Sequence, residues 1–140
     1  METGGIRRRF EAYMDLSDDI DNQIARLEEM ELAALSPSAP FVDGMPGPKG
    51  TPGDRVGRSV AARDALQARL DRMIAKERTE GEALEAMLES LSARERYILQ
   101  RRYFDRRSWD VIADKAALSV RGCQNIEKRA FEKLEDVYGE

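Results

Sequence analysis

The stretch from Leu91 to Tyr138 constrains the fold more than any other, because helix-capping signals divide it into three helices. Ser92 is followed three residues later by Glu95, the pattern of a capping box in which both side chains satisfy backbone N–H groups at a helix start. Ser108 and Ser119 are each placed to cap a further helix. The pattern therefore predicts a compact unit of three helices, the second of them short.

The third of these helices is predicted to have one apolar and one polar face. Its apolar residues recur at spacings of three and four, the period of a helix: Cys123, Ile126, Ala130 and Leu134. Its polar residues lie away from that stripe: Arg121, Gln124, Asn125, Lys128 and Arg129. Arg, Gln and Asn side chains match the edges of guanine and adenine in the major groove, whereas Lys and Arg one turn later suit phosphates. The arrangement predicts a helix-turn-helix whose last helix reads DNA; a merely solvated polar face is the alternative.

This stretch resembles the C-terminal helix-turn-helix, region 4, of sigma-70-type transcription factors. The residues that carry the resemblance are Leu91, Arg94-Glu95-Arg96, Ile98-Leu99, Arg102-Tyr103-Phe104, Ser108-Trp109, Ile112-Ala113, Ser119 and Ala130-Phe131-Glu132-Lys133-Leu134. The resemblance implies binding of double-stranded DNA and makes RNA polymerase a candidate partner. Gly122 departs from the family's pattern and should weaken the first turn of the last helix by about 0.5–1 kcal/mol relative to Ala.

A further group of cations surrounds the predicted end of the first of the three helices. Arg106 and Arg107, in the break before the second helix, are predicted to contact phosphates. Arg102 is predicted to form an internal salt bridge with Glu95 or Asp110.

Charge and composition bound the classes of function. The chain has a formal net charge of −4, yet residues 92–140 hold 11 Lys and Arg against 9 Asp and Glu. A DNA-binding module beside a more acidic helical part fits this distribution. The chain has no His and a single Cys, which removes the commonest general base and any Cys-based metal cluster. We therefore predict no catalytic residues, no metal and no cofactor, and we expect Cys123 to be a small buried residue.

No run of about 18 apolar residues indicates a membrane span. The first residues do not form a signal-peptide pattern. We therefore expect a cytoplasmic protein with no membrane partner.

From Ile6 to about Leu35 the chain has a long helical pattern with an imperfect heptad-like repeat. Its two seam positions are occupied by Ile6, Tyr13, Ile20, Leu27 and Ala34 and by Phe10, Ser17, Ile24 and Glu31. This pattern fits a coiled-coil dimerisation arm and equally an amphipathic helix packed on the next helix of its own chain. The cluster Arg7-Arg8-Arg9 is expected to be solvated at a frayed terminus.

Residues 36–57 are predicted to form a loop, because they contain all five prolines of the chain together with several glycines. Ser59 is predicted to cap a second long helix whose apolar residues keep four-three spacing: Leu66, Leu70, Met73, Leu84, Met87 and Leu91. Glu77, Glu80 and Gly81 interrupt that seam, so the helix should bend there or face solvent. The two long helices would form an antiparallel hairpin, and two copies would form a four-helix bundle.

A second resemblance spans most of the chain. An N-terminal helix, the segment Pro-Gly-Asp-Arg-Val-Gly-Arg-Ser at residues 52–59, a second long helix and a sigma-like helix-turn-helix are together similar to small phage proteins. These are the late transcription regulators of the ArpU and RinA type. The resemblance implies regulation of phage or prophage genes.

Together these patterns predict an all-α fold in which residues 1–90 form a long, coiled-coil-like oligomerisation hairpin and residues 91–140 form a three-helix helix-turn-helix domain. The predicted function is sequence-specific DNA binding in transcription regulation, most simply by a dimer. Two alternatives are a DNA-packaging protein similar to a small terminase subunit and an interaction module for RNA polymerase. The predicted DNA-binding residues are Arg106, Arg107, Ser119, Arg121, Gln124, Asn125, Lys128 and Arg129.

Overall fold

The computed structural model describes residues 4–35 and 52–139, and every regular element in these two ranges is a helix. The elements are α1 (Gly5–Leu35), α2 (Pro52–Leu88), α3 (Ala93–Leu99, continued by a π-helical segment, Gln100–Phe104), α4 (Trp109–Ala116) and α5 (Val120–Tyr138). The predicted all-α fold, a long helical hairpin followed by shorter helices, is confirmed.

All three predicted caps of the C-terminal helices are present. The Ser92 hydroxyl accepts a hydrogen bond from the Glu95 N–H at 3.2 Å, and the Glu95 carboxylate accepts one from the Ser92 N–H at 3.0 Å. Ser108 and Ser119 each accept a hydrogen bond from the N–H three residues further on. A cap of this kind stabilises a helix by about 1 kcal/mol, because it satisfies a donor that the helix leaves unpaired.

The segment after α3 departs from the sequence prediction. Over Gln100–Phe104 the helix is wider, and the Asp105 N–H donates to the carbonyl of the segment's first residue at 3.0 Å. The helix ends at Phe104 with Asp105 as its cap, and the extra residue in the turn changes the direction of Tyr103. The Tyr103 ring lies edge-on to Phe10 and Phe131, with centroids 5.6 and 5.7 Å away. We attribute the wide turn to this aromatic packing, since local preference contains no signal for it.

The described helices belong to two compact units, and α1 and α2 each contribute residues to both. The first unit comprises the residues up to 17 and from 77 on, and the second comprises residues 18–76. The first unit therefore contains the three C-terminal helices together with the start of α1 and the end of α2. The assignment of residues 1–90 to oligomerisation stays a prediction.

Phe10 is the centre of the core of the first unit. It is fully buried, and the rings of Tyr103, Phe104 and Phe131 lie edge-on to it at centroid distances of 5.6, 6.4 and 5.3 Å. Further buried apolar residues complete this cluster: Ile6, Leu84, Met87, Leu88, Leu91, Leu99, Ala130 and Leu134. The end of α2 thus leads directly into the C-terminal core, and α1 supplies the central aromatic ring.

The prediction of a solvated basic cluster at the start of α1 is wrong for two of its three members. Arg7 Nη1 lies 3.3 Å from Glu127 Oε1, and its guanidinium carbon lies 4.9 Å from the centroid of the Phe131 ring. Arg9 donates two hydrogen bonds to the Glu80 carboxylate, at 2.9 and 3.0 Å. The partners of both arginines lie far away in the sequence, so the three arginines taken by themselves gave no sign of these ion pairs.

α2 continues through its acidic interruption without a break. The Glu77 carboxylate accepts a hydrogen bond from the Ser17 hydroxyl at 2.6 Å, just as Glu80 accepts from Arg9. Gly81 is buried, and a Cβ added there would lie 2.8 Å from the Tyr13 hydroxyl. The predicted solvent exposure is therefore wrong, because the glutamates pair with α1 and the glycine makes room for Tyr13. The alternative, a bend at this point, stays a prediction. The order of these contacts along α1 and α2 is that of an antiparallel pair.

α2 begins earlier than predicted. Residues 36–51 of the predicted loop lie outside the described residues, but residues 52–57 belong to the helix, which begins at Pro52 and not at Ser59. Proline is well suited to the first helical position, because its fixed φ is close to helical and its missing N–H would have no helical partner there.

In the second unit, only part of the predicted seam is buried. Ile20 and Leu27 of α1 and Leu70 of α2 are buried, so the two helices pack their apolar positions against each other. By contrast, Leu32 and Leu35 near the end of α1 are 67% and 78% exposed.

Candidate DNA-binding surface

The connection between α4 and α5 has the geometry of a helix-turn-helix. α4 is closed by Ala117, whose φ of 58° and ψ of 42° place it in the left-handed region. The Leu118 N–H donates to the Ala113 carbonyl at 3.0 Å, the bond that closes a helix end in a Schellman motif. Ser119 then caps α5 at once, so that three residues separate the two helices.

A small apolar cluster fixes α5 against α3 and α4. Its buried members are Ile98, Ile112, Ala113 and Cys123. Half-buried apolar residues surround them: Tyr97, Trp109, Ala116, Leu118, Val120 and Ile126. Cys123 is fully buried, as predicted, and this burial raises the pKa of its thiol. Trp109 belongs to the packing around the cluster, so it is a structural residue of this domain.

α5 has the two faces that its sequence predicts. Its buried residues are Cys123, Glu127, Ala130, Phe131 and Leu134. Its exposed polar residues include every side chain predicted to face DNA from this helix: Arg121, Gln124, Asn125, Lys128 and Arg129. Donors and acceptors suited to base edges and phosphates therefore lie together on the outer face of the second helix of the helix-turn-helix.

Arg106 and Arg107 lie in the short connection before α4, and both are exposed. Arg106 has a φ of 56°, a left-handed conformation that non-glycine residues seldom adopt. The Arg107 N–H donates to the Arg101 carbonyl at 2.9 Å, so the main chain of this connection is held in place. The two cations thus precede the cap of α4 on a defined backbone.

The prediction that Arg102 forms a salt bridge with Glu95 or Asp110 is wrong. Its Nη1 donates to the Arg107 carbonyl at 3.1 Å, and its guanidinium carbon lies 5.0 Å from the Trp109 ring centroid. Arg102 therefore supports the connection between α3 and α4 and is not part of an ion pair.

A groove beside α5 contains Arg94, a cation outside the set of predicted DNA-binding residues. Arg94, exposed in the first turn of α3, lines a cavity of about 330 Å³ together with Asn125 and Arg129. Gly122 also lines it, and a Cβ at that position would lie 3.2 Å from the Ser119 hydroxyl. The signals for Arg94 were its position between the two members of the capping box and its place in the Arg94-Glu95-Arg96 run that carries the family resemblance.

Two glutamates join α5 to α3 and to its π-helical continuation. Glu127 is 4% exposed, and its carboxylate accepts a hydrogen bond of 2.5 Å from the Tyr103 hydroxyl. Burial and this hydrogen bond raise the pKa of Tyr103 well above its ordinary value, so the phenol remains a donor at neutral pH. Glu95 accepts a hydrogen bond from Lys133 Nζ at 2.7 Å. A lone charged residue on a predicted apolar stripe was the available signal for Glu127.

Within the described ranges, no group of three or more His, Cys, Asp or Glu side chains is arranged to hold a metal ion. Over the same residues, no helix is both long and apolar enough to cross a membrane.

The short capped α4, the tight left-handed turn and the two-faced α5 define a helix-turn-helix protein. Residues 87–136, about a third of the chain, match the family described as Sigma-70, region 4, which is a DNA-binding helix-turn-helix domain. Neither the curated proteins nor the solved structures contain a match to the chain.

Proposed function

We propose that this chain is a sequence-specific DNA-binding transcription regulator of phage or prophage type, which reads the major groove with the helix that begins at Ser119. The observation that carries the proposal is the exposed polar face of α5 in a helix-turn-helix of the Sigma-70 region 4 family. Its partner is double-stranded DNA, and its site of action is the cytoplasm.

Arg121, Gln124 and Asn125 are proposed to contact bases. They lie in the first two turns of α5, the part of a recognition helix that reaches base edges in the groove. Each bidentate pair with the correct base contributes about 1–3 kcal/mol of discrimination against a wrong one.

Phosphate contacts are proposed for Arg106 and Arg107 before α4 and for Lys128 and Arg129 one turn further along α5. All four are exposed, and they flank the proposed base-reading residues in sequence. Arg94 is added to this set because it shares a groove with Arg129. Such contacts supply much of the affinity, independent of sequence, and they weaken as salt displaces them.

The phage type of the regulator is supported by the resemblance to the ArpU- and RinA-type proteins.

Self-association is supported by exposed apolar side chains of the second unit. Leu32 and Leu35 are largely exposed, and Val60 of α2 is 38% exposed. We propose that a second copy covers such apolar side chains and that the protein acts as a dimer, which would contact two half-sites.

Selection of bound duplexes from a random-sequence pool tests the proposal. The wild-type chain is expected to enrich one sequence, and a variant carrying R121A and Q124A is expected to lose most of that preference. The matched control carries Q67A and R69A, which remove the same side-chain types from exposed positions of α2. Equal enrichment by both variants would exclude base reading by α5.

The salt dependence of binding separates phosphate contacts from base contacts. Replacing both Arg106 and Arg107 with Ala should reduce the slope of log affinity against log salt by about one unit per contact, with little change in the preferred sequence. An unchanged slope would remove these two residues from the interface.

Two other functions fit particular observations. A ring-forming packaging protein would use the exposed apolar residues of the second unit to build a larger assembly, and a mass well above that of a dimer would favour it. An RNA polymerase-binding module would use the concave surface where Tyr97 and the 41% exposed Val111 lie beside Lys115. If the chain bound no duplex even at low salt, this interaction function would replace the proposed one.

A further inference from the structure

The buried side of α5 carries a polar network that joins it to the first turn of α1. Glu127 accepts the Tyr103 hydroxyl on Oε2, at 2.5 Å, and the Arg7 guanidinium on Oε1, at 3.3 Å. Two turns later along α5, Glu135 Oε2 accepts a hydrogen bond of 2.5 Å from the Ile6 N–H. Between the two glutamates, Phe131 packs against Phe10 and beneath Arg7.

This network lies directly behind the proposed recognition surface. Glu127 lies three residues after Gln124 and directly before Lys128, yet it is buried while both of those are exposed. A carboxylate with 4% exposure requires partners for both oxygens, because an unpaired buried charge is strongly unfavourable. The rotation of α5 that lets Glu127 keep both partners is also the rotation that turns Gln124 outward.

We propose that the first two turns of α1 set the position of the recognition helix, with Arg7 and Tyr103 as positioning residues that act on DNA readout through Glu127. The proposal rests on the proposed function for its DNA consequence. It assigns to the N-terminal arm, which lies outside the region that matches the Sigma-70 family, a part in sequence discrimination.

Two side chains of α5, Glu127 and Phe131, hold the Arg7 guanidinium. Its guanidinium is attracted to the Glu127 carboxylate, stacks on Phe131, and shares the carboxylate with the Tyr103 hydroxyl. An arginine suits this position better than a lysine, because a planar guanidinium can stack and donate at the same time. Loss of the cation should leave α5 packed by its apolar residues but less firmly fixed in rotation.

The test compares Arg7→Gln with Arg8→Gln in the full chain. Both substitutions remove one positive charge from the same turn of α1, but Arg8 is exposed. Binding is measured to the duplex enriched by wild type and to an unrelated duplex of equal length. Arg7→Gln is expected to weaken binding of the enriched duplex by about fivefold to tenfold, with the unrelated duplex changed less than about twofold. Arg8→Gln should change neither by more than about twofold.

Two further variants keep the test decisive. Arg7→Lys restores the charge and should recover at least part of the discrimination, whereas Tyr103→Phe keeps the ring and should reproduce the loss. Thermal melting checks that both variants are folded. If Arg7→Gln and Arg8→Gln then bind the two duplexes with equal affinities, the proposal is overturned.

Hydrogen exchange of the α5 amides provides a readout without DNA. Arg7→Gln should speed exchange over residues 124–129 more than Arg8→Gln does, and equal exchange in the two would overturn the positioning role. If wild type binds no duplex, the proposed function fails, and the exchange data alone then decide whether α1 positions α5.

Discussion

The Glu95 carboxylate accepts a hydrogen bond from the Ser92 N–H on one oxygen and from Lys133 Nζ on the other. The first contact completes the capping box of α3, and the second joins that helix to α5. Burial acts to raise the pKa of the Glu95 carboxyl, but the hydrogen bonds from Lys133 and Ser92 outweigh it and hold the pKa below its ordinary value. One side chain therefore couples a local cap to the packing of the helix-turn-helix.

This lowered pKa predicts an acid-sensitive contribution to stability. Because the folded-state value lies below the ordinary 4.5, the contribution is complete above pH 4.5 and is lost as the pH falls through the folded-state value. Urea unfolding from neutral pH downward should show a steeper loss for wild type than for Glu95→Gln. The exposed Glu132→Gln is the control and should follow wild type; superimposable curves for Glu95→Gln and wild type would contradict the assignment.

Gly81 is the residue whose neighbours were hardest to foresee. Its added Cβ would lie 2.8 Å from the Tyr13 hydroxyl and 3.2 Å from two ring carbons, and that ring lies 5.0 Å from Phe104. Glycine inside a helix costs about 0.5–1 kcal/mol relative to alanine, so its presence here reflects the space that the tyrosine occupies.

Gly81→Ala should therefore lower stability, although alanine is the better helix former. We expect a loss of about 1–2 kcal/mol in the wild-type chain, because the ring of Tyr13 must move. In a Tyr13→Ala background the same substitution should stabilise by about 0.5–1 kcal/mol. Denaturant unfolding of wild type, Gly81→Ala, Tyr13→Ala and the double variant measures both effects. If Gly81→Ala changed stability in the same direction with and without Tyr13, steric contact would be excluded as the cause.

At the scale of the element, the turn between α4 and α5 contains an avoidable strain. Ala117 has a left-handed backbone, which suits glycine better than a residue with a Cβ. The caps of α3, α4 and α5 follow from residue type and spacing, and all three were predictable. The π-helical segment after α3 was not, since it depends on Phe10, a residue far away in sequence.

Ala117→Gly should stabilise the chain by about 0.5–1 kcal/mol, because the relief of the left-handed strain exceeds the entropy that glycine adds to the unfolded state. Ala116→Gly, one residue earlier and still helical, should instead destabilise by about 1 kcal/mol. Thermal melting of both variants checks that the first substitution raises stability and the second lowers it. Destabilisation by both would mean that the turn prefers alanine for its packing.

At the scale of the whole molecule, the DNA-binding helices depend on a residue near the other end of the chain. Phe10 is fully buried among Tyr103, Phe104 and Phe131, so the core behind α5 is incomplete without α1. The compact unit and the family match therefore have different extents: the match covers residues 87–136, whereas the unit also includes the residues up to 17.

Phe10→Ala should lower the free energy of unfolding by about 3–5 kcal/mol, the range for large-to-small changes in a core. Ile24→Ala, at a predicted seam position that is 36% exposed, should cost less than about 1 kcal/mol. A fragment of residues 87–140 should melt well below the full chain for the same reason. A fragment as stable as the full chain would show that the C-terminal helices need no contribution from α1.

The sequence by itself determined the elements of this protein: the caps at Ser92, Ser108 and Ser119, the long helical patterns and the polar outer face of α5. These depend on neighbours within about one helical turn, where residue type and spacing are sufficient. Only the tertiary structure decided which charges are solvated and which are paired, as for Arg7 with Glu127. Such pairs join residues far apart in the chain, and their formation depends on how the helices pack around Phe10.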